Sequence, residues 1–289
     1  MLYLCSKTVE RRHIMSDKKF SGMLICTDLD GTLYRDDKSI SRANSEAIEY
    51  FKANGGIFTF ITGRMPFFSD DAYKRIQPNA PFGCINGGGI YDHRTSKYVW
   101  QQPIDRSVFE LVEYIQNSMP DMGIQLNTFD RVYFLHDNPS CEWFRDVTGM
   151  PYLPCTLKGF DKPLAKIVFS DFDEEAIAHL TELLAAHPRA SEFDFIRSER
   201  SLYEILPKGV DKGTVLPRMA EYMGISIERT VAIGDYNNDI GMIRAAGLGI
   251  AVANAREEVK AAADHVTVSN EQHAIARIIS DIESGKLKI

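Results

Sequence analysis

The chain has 289 residues, of which 44% are hydrophobic and 25% charged, the composition of a globular protein with one large or two moderate domains. Acidic residues outnumber basic ones 40 to 33, which argues against nucleic acid as a partner because nucleic-acid-binding proteins usually carry a basic face. No apolar run approaches the roughly 18 residues of a membrane span, and the five scattered cysteines lack a C-x-x-C pair, so we expect a reduced cytoplasmic protein with no membrane partner.

The first third of the chain alternates between apolar strands and helices. Residues 1–22 show no periodicity and are predicted to form a flexible tail. The run Met23–Cys26 predicts a buried strand, and a helix follows between the capping residue Ser41 and the stop signal Gly55-Gly56. The next strand, Ile57–Ile61, has no polar alternation. Continuous apolar strands separated by helices are typical of a parallel sheet that is covered on both faces.

The central part of the chain has a different pattern, in which one helix is followed by strand-like runs, twice over. The predicted helices lie near 108–119 and 177–184, and the predicted strands at 122–128, 131–136, 166–169, 193–197 and 202–206. This pattern is typical of an antiparallel sheet with helices on one face. We therefore predict an α+β domain at 88–206, inserted into a core formed by 23–87 and 207–289.

The strand–helix alternation returns in the last third of the chain. The predicted helices span about 212–223 and 239–245, and the predicted strands 230–233 and 249–252. Repeated alternation of this kind predicts an α/β fold, with a doubly wound, Rossmann-like parallel sheet as the core.

Two aspartates follow the first strand directly, in the stretch Asp28-Leu29-Asp30-Gly31-Thr32-Leu33. Gly31 permits a tight turn, and ligands of open α/β sheets bind outside the carboxyl ends of the strands. Aspartate and glycine are also ordinary turn formers, so this stretch alone is compatible with a solvated turn.

Three further polar stretches follow or precede predicted strands. Thr62-Gly63-Arg64 comes after the second strand, Lys212 opens a helix, and Asp235 through Asp239 follow the strand at 230–233. Each stretch taken alone is also compatible with an ordinary structural role, as a loop, a surface charge or a helix cap. Because parallel strands bring their carboxyl ends to one edge, we expect all of these side chains to meet in one crevice.

Phosphoryl transfer is the chemistry that would use this set. An aspartate such as Asp28 can attack phosphorus, but two unit charges about 4 Å apart repel by about 4 kcal/mol at an effective dielectric near 20. A divalent cation and Lys212 can cancel that repulsion. Asp28, Asp235 and the backbone carbonyl near Asp30 offer the hard oxygen ligands that Mg²⁺ prefers. Asp30 would lie beside the nucleophile, where it can protonate the leaving oxygen and then activate water.

The ordered set of four motifs resembles the haloacid dehalogenase superfamily over the core, 23–87 and 207–289. The separation of Thr62 from Lys212 is far too long for one crossover and implies an inserted cap domain. Its pattern, together with Asn86-Gly87 and Ala253-Asn254-Ala255, is similar to the Cof-like phosphatases with the larger α/β cap.

The resemblance implies a role for each matched residue. It makes Asp28 the nucleophile, Asp30 the general acid and base, Thr62, Gly63, Lys212 and Asn238 the phosphate-binding residues, and Asp28, Asp30 (through its backbone), Asp235 and Asp239 (through water) the magnesium ligands.

The resemblance also implies an Mg²⁺-dependent phosphatase that hydrolyses small phosphorylated metabolites, such as sugar phosphates or phosphorylated cofactors, through an aspartyl-phosphate. Two alternatives stay open: a phosphohexomutase, and a non-catalytic phospho-acceptor or sugar-phosphate-binding module. Asp30 and Lys212 argue against the module, because binding alone needs neither a proton shuttle nor a nucleophile. The sequence contains no G-x-x-x-x-G-K-[ST], G-x-S-x-G or H-E-x-x-H motif.

Overall fold

Apolar strands and amphipathic helices alternate along the chain, and the computed structural model describes them from residue 18 to residue 289. The strands are β1 (Leu24–Thr27), β2 (Ile57–Phe60), β3 (Phe82–Cys84), β4 (Gly89–Asp92), β5 (Lys97–Gln101), β6 (Gly123–Thr128), β7 (Val132–His136), β8 (Leu164–Ser170), β9 (Phe193–Glu199), β10 (Leu202–Pro207), β11 (Thr230–Gly234), β12 (Leu248–Ala251) and β13 (His265–Val266). The helices are α1 (Arg42–Ala53), α2 (Asp70–Ile76), α3 (Val108–Ser118), α4 (Pro139–Thr148), α5 (Glu174–Ala186), α6 (Lys212–Met223), α7 (Ile240–Ala245), α8 (Glu257–Ala262) and α9 (Ala274–Glu283).

The core is a five-stranded parallel sheet in the order β13-β12-β11-β1-β2. Its central strand β1 pairs with β11 and β2, so that Leu24 lies level with Thr230 on one side and Ile57 on the other. All four residues of β1 are buried, as expected for a strand covered on both faces. The parallel, doubly wound α/β fold predicted from the sequence is confirmed.

The helix α1 begins and ends where the sequence indicates. The Ser41 hydroxyl accepts a hydrogen bond from the Asn44 N–H at 3.2 Å, and Gly55 just after the helix has a φ of +91°.

The chain before β1 packs on α1. Residues 1–17, most of the predicted tail, lie outside the described residues. From residue 18 to residue 22 the structure differs from the predicted tail, because Phe20 is buried against Phe51 with ring centroids 4.7 Å apart. Burial of a large aromatic ring against the apolar face of a helix is more favourable than its exposure to water.

The inserted part of the chain forms a second sheet, here called the inserted sheet, with the antiparallel order β7-β6-β8-β10-β9. The helices α3 and α5 pack on one face, where Ile167, Phe169 and Ile205 join their apolar side chains. The helix α4, which the sequence analysis does not predict, contributes Cys141 to a small cluster with Val132 and Phe134. Strand side chains alternate between faces, so β8 and β10 direct their other residues away from α3 and α5.

A hairpin of β4 and β5 joins β3 in a third, antiparallel sheet with the order β3-β4-β5. Ile90 of this hairpin packs with Leu24 and Val215 of the core, and the Arg218 guanidinium of α6 lies 4.5 Å from the Trp100 ring centroid. The hairpin therefore contacts the core, and the domain boundaries at 88 and 206 stay a prediction from the sequence.

The chain passes between the core and the inserted sheet at two neighbouring places. Residues 102–106 on the outward passage and Pro207 and Lys208 on the return line the same cavity, with a volume of about 390 Å³. Across residues 18–289, no helix combines the length and the apolar character that a membrane span needs.

Candidate active site

The polar motifs meet at the carboxyl edge of the parallel sheet. Asp28 directly follows β1 and donates its N–H to the Ile233 carbonyl at 2.9 Å, while Asp235 follows β11. Thr62, two residues beyond β2, donates its N–H to the Gly83 carbonyl at 3.0 Å. Lys212 is the first residue of α6. The sheet thus brings the predicted residues to one crevice, as parallel strand order requires.

Lys212 is the central cation of this crevice and is only 1% exposed. Its Nζ donates to Asp28 Oδ1 and to Asp239 Oδ1, both at 2.6 Å. Burial opposes the charged form, but Asp239 and Asp28 outweigh it and raise the pKa of Lys212 above its ordinary value. The lysine is therefore a permanent positive charge beside Asp28.

Two carboxylates of the crevice, Asp28 and Asp235, have pKa values above the ordinary value for aspartate. Burial raises the pKa of Asp28 to about 8, with Lys212 opposing and the neighbouring acids Asp239 and Asp235 adding to the shift. Burial, followed by the charge of Asp239, raises the pKa of Asp235 to about 6. Asp235 also accepts a hydrogen bond from the Thr32 hydroxyl at 2.7 Å. Both carboxylates are thus short of positive charge, which a bound cation would supply.

This carboxylate cluster fits a divalent metal ion. One carboxylate oxygen from each of Asp28, Asp235 and Asp239 lies within 4.8 Å of the others. When all three carboxylates are ionised, one lysine leaves about two negative charges unbalanced, and hard oxygen donors are those that Mg²⁺ selects. Gly31, with a φ of +78°, makes room for this cluster, because a Cβ there would lie 2.5 Å from Asp235 Oδ2.

Asp239 already uses both of its oxygens within the protein. Its Oδ2 accepts the N–H groups of Asp235 and Tyr236, each at 3.0 Å, while Oδ1 is bound by Lys212. Asp239 therefore shapes the loop that carries Asp235, and its role as a metal ligand through water stays a prediction.

The carboxylate of Asp30 points away from this cluster. Its two oxygens bind the Arg64 guanidinium at 2.6 Å and the Lys38 ammonium at 2.9 Å, and 41% of the side chain is exposed. Partial burial opposes ionisation, but Arg64 and Lys38 outweigh it and lower the pKa of Asp30 below its ordinary value. Only the backbone of Asp30 is predicted to bind the metal, and its side chain lies outside the metal-competent cluster.

The other predicted phosphate-binding residues, Gly63 and Asn238, meet on the side chain of Asn86. The Asn238 amide donates to Asn86 Oδ1 at 3.1 Å, and a Cβ on Gly63 would lie 2.7 Å from the same oxygen. Thr62 is 2% exposed, and its hydroxyl accepts the Arg64 N–H at 3.3 Å.

Sequence reasoning missed several residues that border this crevice. Lys38 lies in an irregular loop whose sequence gives no signal of its role. Lys166 and Glu204 do carry a signal, since each is the single charged residue within an otherwise apolar strand run, 164–169 and 202–206. A charge inside a buried strand requires a partner and marks a candidate site.

Comparison with known proteins identifies similar chains. A sequence profile of the haloacid dehalogenase-like hydrolases matches residues 25–279. The 5-amino-6-(5-phospho-D-ribitylamino)uracil phosphatase YitU of Bacillus subtilis is 28% identical over 262 residues, which cover 89% of this chain and 96% of that protein. A second phosphatase of the same name and organism, YwtE, is 29% identical and covers 91% of this chain and 98% of its own length.

Solved structures show the same fold. A haloacid dehalogenase-like hydrolase from Bacteroides thetaiotaomicron is 25% identical, with a TM-score of 0.77 over 90% of this chain and 99% of that one. A Thermotoga maritima protein is 26% identical, with a TM-score of 0.77 over 92% of this chain and 98% of its own. The profile match, which extends over most of the sequence from β1 to α9, identifies the chain as a member of the haloacid dehalogenase-like hydrolase family.

Proposed function

We propose that the protein is an Mg²⁺-dependent phosphatase that hydrolyses small phosphorylated metabolites through an aspartyl-phosphate on Asp28. The observation that carries the proposal is the buried cluster in which Lys212 binds Asp28 and Asp239 at 2.6 Å beside Asp235. The cluster supports the proposal because a carboxylate, a buried ammonium group and a set of metal-competent oxygens share one crevice.

Asp28 is suited to attack phosphorus through one of its two oxygens. Lys212 binds Oδ1, and no residue between 18 and 289 donates a hydrogen bond to Oδ2. Attack by Oδ2 forms the bond to phosphorus as the bond to the leaving oxygen breaks. Lys212 and the N–H groups near Thr62 then lie close to the phosphate oxygens, where positive charge and hydrogen bonds stabilise the transition state.

Asp30 is the candidate for both proton transfers. A protonated Asp30 donates its proton to the leaving oxygen, and the resulting carboxylate then accepts a proton from the water that attacks the aspartyl-phosphate. Hydrolysis releases inorganic phosphate and restores Asp28. Asp28, Asp235 and the Asp30 backbone would hold Mg²⁺, with Asp239 behind a water, and the ion would reduce the repulsion between Asp28 and the phosphate dianion.

The relatives suggest the class of substrate. YitU and YwtE carry the name of phosphatases for 5-amino-6-(5-phospho-D-ribitylamino)uracil, a phosphorylated sugar-alcohol derivative. We propose a sugar phosphate or a phosphorylated cofactor as the substrate of this protein. None of the four cysteines from residue 18 onward forms a disulfide, which supports action in the reducing cytoplasm.

A panel of phosphorylated metabolites tests the proposal, with inorganic phosphate release as the readout. We expect release from several sugar phosphates or phosphorylated cofactors in the presence of Mg²⁺, and none after treatment with EDTA. Phosphate release that survives EDTA would contradict the metal site. Isomerisation of a hexose phosphate that depends on glucose 1,6-bisphosphate would favour a mutase, and binding of the panel without turnover would favour a binding module.

A further inference from the structure

A buried carboxylate of the inserted sheet, Glu204 on β10, lies next to the phosphate-binding motifs of the core. The residue is 3% exposed and accepts three hydrogen bonds. Its Oε1 binds the Ser198 hydroxyl at 2.8 Å, while its Oε2 binds the Lys166 ammonium at 2.9 Å and the Asn86 amide at 3.1 Å. Two of these donors belong to the inserted sheet, and the third belongs to the core.

The alternation of the strands explains why this charged pair faces the core. Ile167 on β8 and Ile205 on β10 pack against the helices of the inserted sheet, so their neighbours Lys166 and Glu204 lie on the opposite face. Lys166 is 6% exposed, and besides Glu204 it donates to the Gly63 carbonyl of the core at 3.3 Å. Buried charges of this kind persist only when they are paired and hydrogen-bonded.

Asn86 is held in an uncommon conformation between the two sheets. It has a φ of +50°, and the preceding Ile85 has a φ of +57°, which is a genuine outlier for a β-branched residue. The side chain is fully buried; its Nδ2 donates to Glu204, and its Oδ1 accepts from Asn238. Strained backbone of this kind persists where the surroundings hold a side chain in one place.

The hydrogen-bonding chemistry fixes which way the Asn86 amide points. An ionised glutamate only accepts hydrogen bonds, so Glu204 requires the NH₂ group of Asn86 on its side. The amide oxygen must then face Asn238 and Gly63. Without the carboxylate, a flipped Asn86 would place its NH₂ group against the NH₂ group of Asn238.

We propose that Glu204 is a positioning residue, which orients Asn86 and through it Asn238 and Gly63, so that the phosphate pocket is complete only when the inserted sheet lies against the core. The inference rests on the proposed function, in which Gly63 and Asn238 bind phosphate. Lys166 supports the same arrangement by binding both Glu204 and the Gly63 carbonyl.

The test is calorimetric binding of inorganic phosphate, in the presence of Mg²⁺, to wild type and Glu204→Gln. Inorganic phosphate has no leaving group, so it cannot sense a lost contact between the inserted sheet and the rest of a substrate. We expect binding about tenfold weaker, the order of one lost charge-assisted hydrogen bond. We expect KM for a phosphate monoester to rise by a similar factor. Unchanged phosphate binding overturns the inference, whether or not KM rises.

Asn86→Gly supplies an independent arm, because glycine accepts the positive φ and removes only the amide. Each single variant should weaken phosphate binding similarly, and the double variant should bind no more weakly than the weaker single one. Additive losses would overturn the link between the two residues. Asn86→Gly alone still decides the matter if Glu204→Gln does not fold, since unchanged phosphate binding in it also overturns the inference.

Asp137→Asn is the matched control. Asp137 is a carboxylate beside the inserted sheet that binds the Arg145 guanidinium at 2.6 and 2.9 Å and touches none of the core motifs. This variant should bind phosphate as the wild type does, and a similar loss in it would overturn the proposal. Phosphate release by the wild type is measured separately. If the wild type hydrolyses monoesters and Glu204→Gln binds phosphate normally, only this inference is refuted. A wild type that neither hydrolyses monoesters nor binds phosphate refutes the proposed function as well.

Discussion

The inner and outer sides of a single turn give two aspartates opposite properties. Asp28 is 8% exposed and borders the buried lysine and two further acids, and its pKa is raised to about 8. Asp30, two residues later, is paired with Arg64 and Lys38 at the mouth of the crevice, and its pKa is lowered. The two residues are of the same type, so the difference between their pKa values comes from their surroundings.

This contrast explains how two neighbouring acids can take separate tasks. A cation bound beside the inner carboxylate would favour its ionised form, and in the proposed mechanism this would link its reactivity to metal binding. The outer carboxylate lies between two partly exposed cations, and in the proposed mechanism it exchanges them for a proton when a substrate binds. Five substitutions, one of them a parallel variant, test the contrast, from the largest expected effect to the smallest.

Loss of the inner carboxylate should have the largest effect. Asp28→Asn retains the shape of the side chain but removes the nucleophile, so phosphate release should fall by a factor on the order of 10⁴ or more. The measurement is the steady-state release of inorganic phosphate from the best substrate of the panel. Release at more than a few per cent of the wild-type rate, in protein free of contaminating phosphatase, would refute the assignment of Asp28.

Loss of the outer carboxylate should have a smaller effect that depends on the leaving group. Asp30→Asn should slow hydrolysis of an alkyl phosphate by about 10²–10⁴, the range of general acid–base catalysis. Formation of the phosphoenzyme from p-nitrophenyl phosphate should be slowed far less, because that leaving group needs no proton. Equal losses in single-turnover phosphorylation by the two substrates would contradict a proton-donor role.

Removal of the cation beside Asp30 should change the pH dependence. Arg64 lowers the pKa of Asp30, so Arg64→Gln should move that pKa upward. The part of the kcat/KM profile that disappears in Asp30→Asn should therefore shift toward higher pH, and the rate at neutral pH should change by about fivefold or less, as for a partly exposed ion pair. A shift toward lower pH would contradict the role given to Arg64, and Lys38→Met serves as the parallel variant.

A carboxylate that resembles Asp30 but lies outside the site should affect stability alone. Burial opposes ionisation of Asp281, but Arg277 and Lys286 outweigh it and lower its pKa. A lowered pKa stabilises the fold above the ordinary value of 3.8, and this contribution disappears as the pH falls through the folded-state pKa. Asp281→Asn should cost about 0.5 kcal/mol at pH 7 and nothing in strong acid, by urea unfolding, with unchanged activity.

The features that sequence predicts well here are those governed by local pattern. Continuous apolar runs predict the parallel strands, and parallel strands place Asp28, Thr62 and Asp235 at one edge whatever the details of the packing. The capping residue Ser41 is likewise a local signal. These inferences need no knowledge of long-range contacts, which is why they agree with the structure.

The features that sequence does not predict depend on contacts between distant segments. Asn86 lies in the turn between β3 and β4, far along the chain from Glu204 on β10, and no sequence pattern shows that the two side chains are hydrogen-bonded. The hairpin of β4 and β5 escapes notice because Gly83 and Gly89 weaken the strand signal around it. Burial of Phe20 depends on the surface of α1 and cannot be inferred from the irregular sequence around it.

The two passages of the chain beside the 390 Å³ cavity have a consequence for the evolution of this protein. Since the outgoing and returning segments are neighbours, a short loop between them can replace the whole inserted part of the chain without distorting the core. Insertions whose ends meet are the ones that folded proteins tolerate best. A different inserted domain can thus be joined to the same core. Substrate choice can then diversify while the aspartates of the core stay unchanged.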